Sequence, residues 1–298
     1  GDAAHIMPVW QGQGYNSGMR DASNLAWKLA MVIKGEAGAG LLDSYEAERR
    51  DHARSMIHLS EVAGDIFAPE SHTAAKVRDA VMLALNAVPP VKQYFAEMRF
   101  KPMPRYEHGV VLHHTATHSQ GAKTPFASLL DRSGNTPLSR LLGLMAEKKE
   151  SLLGRLVHGL EAPAASPVGR MFIQPRVITT DGHSGLLDDH IGLNFAILAW
   201  GTDPSYGMDE QSLAFWRRLG ARFIRILPAG QLHSPASTRE GVLTLGDEQG
   251  RLKDWFSAQE KSVVFVRPDR FVAARASPQQ VSAVTRQLAQ VLHAPLEV

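Results

Sequence analysis

The last third of the chain alternates between short apolar runs and amphipathic stretches, and this alternation most constrains the fold. Strands are predicted at 194–200, 222–227, 262–266 and 271–274, and helices at 209–219, 252–259 and 278–292. The order strand-helix-strand, then helix-strand-strand-helix, is typical of a thioredoxin-like α/β domain. The sequence contains no cysteine, which excludes the Cys-x-x-Cys redox chemistry of such folds.

The first hundred residues are predicted to be mainly helical, so the fold class is mixed α/β. One helix spans 20–34, with Leu25, Leu29, Val32 and Ile33 as its apolar positions. Three more are expected: one from Asp43, capped with Glu46 and striped by Met56, Leu59, Ala63 and Ile66; one over 74–87; and a short one carrying Tyr94, Phe95 and Met98.

Between these two regions the periodicity weakens, which predicts a domain boundary. We expect residues 1–110 to form part of a ligand-binding domain and residues 111–168 a linker or insertion, with one amphipathic piece at 141–160. Residues 169–298 would then be the thioredoxin-like domain.

Composition excludes several classes of partner and site. The 32 basic and 30 acidic residues are interspersed, so neither nucleic acid nor a membrane surface is an expected partner. No apolar run reaches the roughly 18 residues of a membrane span. The absence of cysteine excludes disulfides and thiolate sites and suits a cytoplasmic location. A small-molecule partner is therefore predicted.

The first 28 residues combine a carboxylate, a glycine-rich loop and the start of a helix. Gly12 and Gly14 allow the backbone to approach a flat ligand, and a helix beginning near Asn16 would add positive potential there. Such a site suits an anionic ring edge, while Asp2 could accept hydrogen bonds from a polyol. A ribityl chain joined to a reduced isoalloxazine has both features.

The same residues carry a family resemblance. GDAAH at the first residue, then GQGYNSG and DASNLAWKL, resemble the second flavin motif of the aromatic-ring hydroxylases related to p-hydroxybenzoate hydroxylase. LLDSYEAERRDHA, MRFKPMPRY, SPVGRMFIQPRV and RPDRFVAA resemble in particular the members that act on 3-(3-hydroxyphenyl)propionate. Many members have two consecutive prolines where this chain has Pro8-Val9.

The resemblance implies FAD, reduced by NADH or NADPH, and hydroxylation of a phenolic ring ortho to its hydroxyl by molecular oxygen. It implies that Asp2 binds the ribityl chain and that the loop from Pro8 to Asn16 lines the ring. The cofactor-binding residues are then Asp2, Pro8, Gly12, Gln13, Gly14, Tyr15 and Asn16, with Val9 and Trp10 at the substrate pocket. It further implies that the thioredoxin-like domain serves structure and self-association.

The sequence carries only part of such a site. The strand-Gly-x-Gly-x-x-Gly-helix element that binds the ADP half of FAD is not found, so we expect about half of a flavin site. No acid or base can be assigned. Another phenol or a polyketide as substrate remains open, as does a non-catalytic association module.

Other polar groupings are interpreted as structural. His5 is expected to satisfy a turn, and His113, His114 and His118 to lie in a loop without a metal. The segment 182–185 is predicted to be a turn. The charges of Glu46, Glu48, Arg49, Arg50 and Arg54 are interpreted as a charged helix face held by i,i+4 pairs.

Overall fold

The computed structural model describes residues 1–69, 71–87, 89–97, 103–113, 166–233, 238–258 and 263–296. Their contacts form two compact units, neither of them continuous in sequence. The first takes its residues from Gly1–Asp21 and Arg50–Pro104, and the second from Ala22–Arg49, Arg105–His114 and Ser166–Val298. These units do not follow the predicted bounds at 110 and 168, and the predicted helix at 141–160 lies outside the described residues.

The helices of the first hundred residues lie close to their predicted positions. They are α1 (Gly14–Ile33), α2 (Asp43–Phe67), α3 (His72–Asn86) and α4 (Pro89–Ala96), with 3-10 turns at Val9–Gln11 and Ala39–Leu42. Asp43 and Glu46 both lie in the first turn of α2, where their charge complements the helix dipole. Met98 lies outside the described residues.

The buried face of α1 differs from the prediction. Ile33 is 82% exposed and Leu29 is also exposed, whereas Asn24, Trp27 and Lys28 are buried. The apolar pattern indicated the helix correctly but indicated the wrong face, because the true face buries polar groups that pair with distant residues.

The second unit is built on a seven-stranded mixed sheet. Its strands are β1 (Arg176–Thr179), β2 (Ser184–Leu186), β3 (Ala196–Trp200), β4 (Arg222–Pro228), β5 (Val242–Asp247), β6 (Val263–Val266) and β7 (Val272–Ala276), in the spatial order β2-β1-β5-β4-β3-β6-β7. Strands β3, β4 and β5 run parallel, and the outer pairings are antiparallel. The mixed α/β class is confirmed; β1, β2 and β5 were not predicted.

Four short helices accompany the sheet: α5 (Leu187–Ile191), α6 (Glu210–Arg218), α7 (Arg251–Ser257) and α8 (Val281–Val291). The side chains of β3 alternate between two apolar cores, with Ile197 in one and Leu198 in the other. The core around Ile197 contains residues of α6 and α8, where the Trp216 indole donates to Thr285 Oγ1 at 2.9 Å. The core around Leu198 contains residues of α5 and α7.

The two outer strands of the sheet are β7 and β2. The backbone of β7 bonds to the segment 169–170, with Gly169 N–H donating to Val272 O and Val272 N–H to Arg170 O, each at 2.9 Å. Leu112 N–H donates to Ala273 O at 2.8 Å. At the other side, β2 has three residues and forms a hairpin with β1, whose turn contains Gly182 at a φ of +87°. Of the turn predicted at 182–185, Gly182 lies in the connection between the two strands, whereas Ser184 and Gly185 belong to β2.

A helix must be both long and apolar to cross a bilayer. Within the described residues, no helix meets both conditions.

Candidate functional site

The loop from Pro8 to Asn16 is a short 3-10 turn that runs directly into α1. Gly12 ends the turn with a φ of +59°, and its N–H donates to Val9 O at 3.0 Å. This left-handed conformation favours glycine, because a Cβ would approach the neighbouring carbonyl. Helix α1 begins at Gly14, so its first backbone N–H groups belong to Gly14, Tyr15 and Asn16.

All the proposed cofactor residues except Asp2 lie in this segment, and most of them are exposed. Asp2, Gly12, Gly14, Tyr15 and Asn16 are exposed, and Pro8 and Gln13 are half-buried. The Asn16 amide donates to Gln13 Oε1 over a long 3.4 Å. The surface they form is available to a ligand rather than used in packing.

Large apolar side chains share this exposure. Val9 is 82% exposed, Tyr15 77% and Trp10 44%. Exposed apolar surface of this kind marks contact with another apolar body. A flat aromatic ring is one body that would cover it.

The glycines present an open backbone surface. A Cβ placed on Gly12 or Gly14 would meet no atom within 4 Å. These glycines are therefore not required by packing within the described residues, and they leave room for close approach of a ligand.

Two residues outside the motif hold this segment in place. Ser60 of α2 is fully buried, and its hydroxyl donates to Pro8 O at 2.7 Å. Gly64, one turn later, lies against the Trp10 indole, where an added Cβ would be 2.5 Å from Nε1. Neither residue was predicted, because the contact joins positions about fifty residues apart in the sequence.

His5 is held by a buried carboxylate. Its Nε2 lies 2.9 Å from Asp21 Oδ2, and Asp21 is only 3% exposed. Its Nδ1 is buried without a hydrogen-bond partner among the described residues. His5 was expected to satisfy backbone groups in a turn, but its ring bonds to the side chain of Asp21 instead. No local pattern in the sequence indicated Asp21.

These features fit FAD in part. The open glycine backbone, the amino end of α1 and the exposed carboxylate of Asp2 match the ring edge and the ribityl hydroxyls. The orphan Nδ1 of His5 leaves one buried nitrogen able to bond to a ligand or water. No group for the pyrophosphate was identified among the described residues.

The second unit contains a buried ion cluster, formed by Lys28, Glu48, Arg267 and Asp269. Glu48 accepts from Arg267 Nη1 at 2.6 Å, from Arg267 Nη2 at 2.8 Å and from Lys28 Nζ at 2.8 Å. Asp269 accepts from Arg267 Nη2 at 2.5 Å. Each of these four side chains is at most 1% exposed.

Neutral groups complete the cluster. Asn24 Nδ2 donates to Glu48 Oε2 at 2.5 Å, and Val110 N–H donates to Glu48 Oε1 at 2.8 Å. The Arg267 guanidinium carbon lies 4.9 Å from the Tyr106 ring centroid and 5.2 Å from that of Trp27. Every charge in the cluster therefore has a partner, which a buried ion requires.

The pKa values follow from this arrangement. Burial alone would raise the pKa of Glu48, but the charges of Arg267 and Lys28 outweigh it and lower that pKa to about 2. Burial lowers the pKa of Lys28 to about 8, against the attraction of Glu48. Burial also raises the pKa of Tyr106 to about 12. The cluster is closed to solvent and serves packing rather than ligand binding.

The cluster corrects one interpretation. Glu48 and Arg49 were placed on a charged helix face held by i,i+4 pairs, yet both are only 2% exposed and Glu48 pairs with the distant Arg267 and Lys28. Glu48 is charged and buried in α2 because Arg267 and Lys28 lie opposite it. The local charge pattern does not distinguish such a buried ion pair from charges in solvent.

The remaining histidines show no metal arrangement. His113 is half-buried with its Nε2 3.0 Å from Tyr106 O, while His114 and His118 lie outside the described residues. Over the part of the chain described by the structure, no three His, Cys, Asp or Glu side chains are grouped to hold an ion.

Two family models match the chain. Residues 1–60 match the FAD binding domain, and residues 169–291 match the HcaD C-terminal domain. The match to the FAD binding domain includes Asp2 and the loop from Pro8 to Asn16.

Curated relatives match along the full chain. The 3-(3-hydroxy-phenyl)propionate/3-hydroxycinnamic acid hydroxylase of Comamonas testosteroni is 86% identical over 100% of this chain and 50% of its own length. The enzyme of the same name from Paraburkholderia xenovorans (strain LB400) is 59% identical over 97% of this chain and 46% of its own length. The chain is similar in sequence to these hydroxylases along nearly its whole length. It spans about half the length of these hydroxylase relatives.

Solved structures show a fold similar to that of this chain. Aklavinone-11 hydroxylase, in complex with FAD and aklavinone, matches 98% of this chain and 42% of its own with a TM-score of 0.54 at 22% identity. The flavin-dependent monooxygenase PieE matches 98% of this chain and 46% of its own with a TM-score of 0.55 at 21% identity. At this identity the likeness concerns the fold alone.

Proposed function

We propose that this chain forms part of an FAD-dependent monooxygenase that converts 3-(3-hydroxyphenyl)propionate to 3-(2,3-dihydroxyphenyl)propionate. The observation that carries the proposal is the 86% identity to a hydroxylase named for this substrate, extending over the whole candidate site. NADH or NADPH would supply the electrons, and the product would enter the catabolism of aromatic compounds.

Bound FAD, once reduced, would supply the activation of molecular oxygen for transfer to the ring. The residues of this chain have the tasks of binding, orientation and exclusion of water. Asp2 accepts hydrogen bonds from the ribityl hydroxyls, each worth about 1.5–3 kcal/mol when the acceptor is charged. Pro8, Gly12, Gln13, Gly14, Tyr15 and Asn16 line the ring, and the helix dipole of α1 favours negative charge at the ring edge.

Val9 and Trp10 border the phenolic substrate in this proposal. Both are exposed beside the glycine loop, so they can contact a ring placed over the flavin. An aromatic side chain orients a phenol by offset stacking or edge contact, worth about 0.5–1.5 kcal/mol beyond its buried area. Orientation decides which ring carbon receives the oxygen.

We further propose a cytoplasmic enzyme whose residues 169–298 are thioredoxin-like and take part in self-association. The strand order β4-β3-β6-β7, with β3 and β4 parallel and β6 and β7 antiparallel to their neighbours, supports the thioredoxin-like assignment. Light scattering of the full-length enzyme with and without this segment tests the association.

The function is tested with purified full-length enzyme. We expect bound FAD, oxidation of NADH or NADPH that depends on 3-(3-hydroxyphenyl)propionate, and a product heavier by one oxygen atom. Phenol and a polycyclic phenolic polyketide serve as competing substrates. Faster turnover of either one would reassign the substrate, and a protein without flavin would favour the association module.

A further inference from the structure

The last third of α2 carries two small residues on one face, Ser60 and Gly64, both buried. They are four residues apart, so their side-chain positions are neighbours on the helix surface. The segment Pro8 to Trp10 lies on this face. Ser60 Oγ donates to Pro8 O at 2.7 Å, and the Trp10 indole lies against Gly64.

Ser60 uses its hydroxyl differently from another serine of the same helix. Ser55 donates to the carbonyl of Asp51, four residues earlier, at 2.9 Å. That local bond is the usual one for serine inside a helix. Ser60 instead donates to a distant loop, so its bond fixes the position of Pro8.

The position of the Trp10 indole explains why residue 64 is a glycine. Glycine inside a helix is unfavourable relative to alanine, and it is kept where something occupies the space of a Cβ. Here a Cβ would lie 2.5 Å from Trp10 Nε1 and 2.7 Å from Cδ1, closer than real contacts allow. The absence of a side chain at position 64 therefore determines how closely Trp10 approaches α2.

We propose that Ser60 and Gly64 are positioning residues that set the reach of Trp10 over the substrate ring. One edge of the indole rests on α2, while 44% of the residue is exposed. Adding a methyl group at position 64 must move the indole outward, by roughly 1 Å to restore an ordinary contact. This inference rests on the proposed function, because it assigns Trp10 to the substrate side.

The kinetic test compares Gly64→Ala and Ser60→Ala in the full-length enzyme. Both should raise KM for 3-(3-hydroxyphenyl)propionate, about 10-fold for Gly64→Ala, because a 1 Å displacement disturbs orientation strongly. A larger share of the NADH or NADPH oxidised should reduce oxygen to hydrogen peroxide instead of yielding hydroxylated product, while the bound FAD per chain stays unchanged.

Matched controls are available in the same chain. Ser55→Ala removes a serine hydroxyl from α2 without touching the loop, and Gly230→Ala adds a methyl group where no atom lies within 4 Å. Neither should change KM. An unchanged KM in both Gly64→Ala and Ser60→Ala would overturn the positioning role.

A stability cycle tests the contact without relying on activity. Alanine normally stabilises a helix relative to glycine, so Gly64→Ala should raise the melting temperature in a Trp10→Ala background and lower it when Trp10 is present. A rise in both backgrounds would overturn the contact. If the cycle shows the reversal of sign but no phenol is hydroxylated, the proposed function fails while the contact stands.

Discussion

Replacing Gly109 tests two contributions to stability, backbone strain and crowding against a neighbouring side chain. Its φ is +95°, and an added Cβ would lie 2.5 Å from both Cγ and Oε1 of Glu48. We expect Gly109→Ala to lower the free energy of unfolding by about 3 kcal/mol, combining backbone strain with crowding in a packed interior. Chemical denaturation measures this loss.

The matched control is Gly182→Ala. Gly182 has a similar φ of +87°, but no atom lies within 4 Å of its Cβ position. It should cost only the backbone strain, about 1 kcal/mol. Equal losses at the two positions would show that contact with Glu48 adds nothing.

Asp2 carries the residue-scale prediction for the cofactor. Asp2→Ala in the full-length enzyme should weaken FAD binding about 10-fold or more, since the ribityl hydroxyls lose a charged acceptor. Fluorescence titration of the apoenzyme with FAD measures the change. Asp51→Ala, also an exposed carboxylate, should leave the affinity unaltered. Equal affinities for all three proteins would remove Asp2 from the site.

At this scale, the sequence was informative where the proposed site residues lie close together in the chain. Asp2 and the loop from Pro8 to Asn16 could be proposed because their types and spacing fit one ligand. Ser60 and Gly64 could not, since a serine and a glycine inside a helix acquire meaning only from the loop packed against them. Glu48 was misassigned because its cationic partner, Arg267, lies 219 positions away.

Among the elements, α1, α2 and the turn after β6 are joined by the buried ion cluster. We expect Glu48→Gln to lower the free energy of unfolding at neutral pH by about 3 kcal/mol, because Lys28 and Arg267 lose their shared carboxylate. Glu61→Gln removes a carboxylate that is 53% exposed and should change stability by less than about 0.5 kcal/mol.

The pKa of Glu48 predicts that the effect of Glu48→Gln on the free energy of unfolding depends on pH. The pKa of Glu48 falls from 4.5 to about 2 in the folded protein, so its stabilisation is complete above pH 4.5 and is lost toward pH 2. The difference between wild type and Glu48→Gln should therefore shrink across this window. A difference that stays constant from pH 5 to pH 2.5 would contradict the assigned pKa.

Hydrophobic periodicity predicted some of the helices and strands but not all of them. Long helices such as α2 repeat their pattern over many turns and were predicted. Strands β1 and β2 have four and three residues, too few for a clear alternation. The buried face of α1 was missed because Asn24 and Lys28 look like surface residues until their partners are known.

For the whole molecule, the affinity for FAD measures how much of the cofactor site this chain contains. The sequence contains no glycine-rich strand-to-helix element for a pyrophosphate, so the 298-residue chain alone should bind FAD weakly. Isothermal titration should show no submicromolar binding, whereas the full-length enzyme retains FAD. Tight stoichiometric binding by the chain alone would reveal a second anchor in it.

The bonding of the outer strands also bears on colloidal behaviour. An unpaired sheet edge is a template on which another chain can add a strand and begin an aggregate. Backbone from 112 and 169–170 already bonds to Val272 and Ala273 at the start of β7, and β2 offers only three residues. Both features shorten the stretch of described sheet edge on which another chain could add a strand.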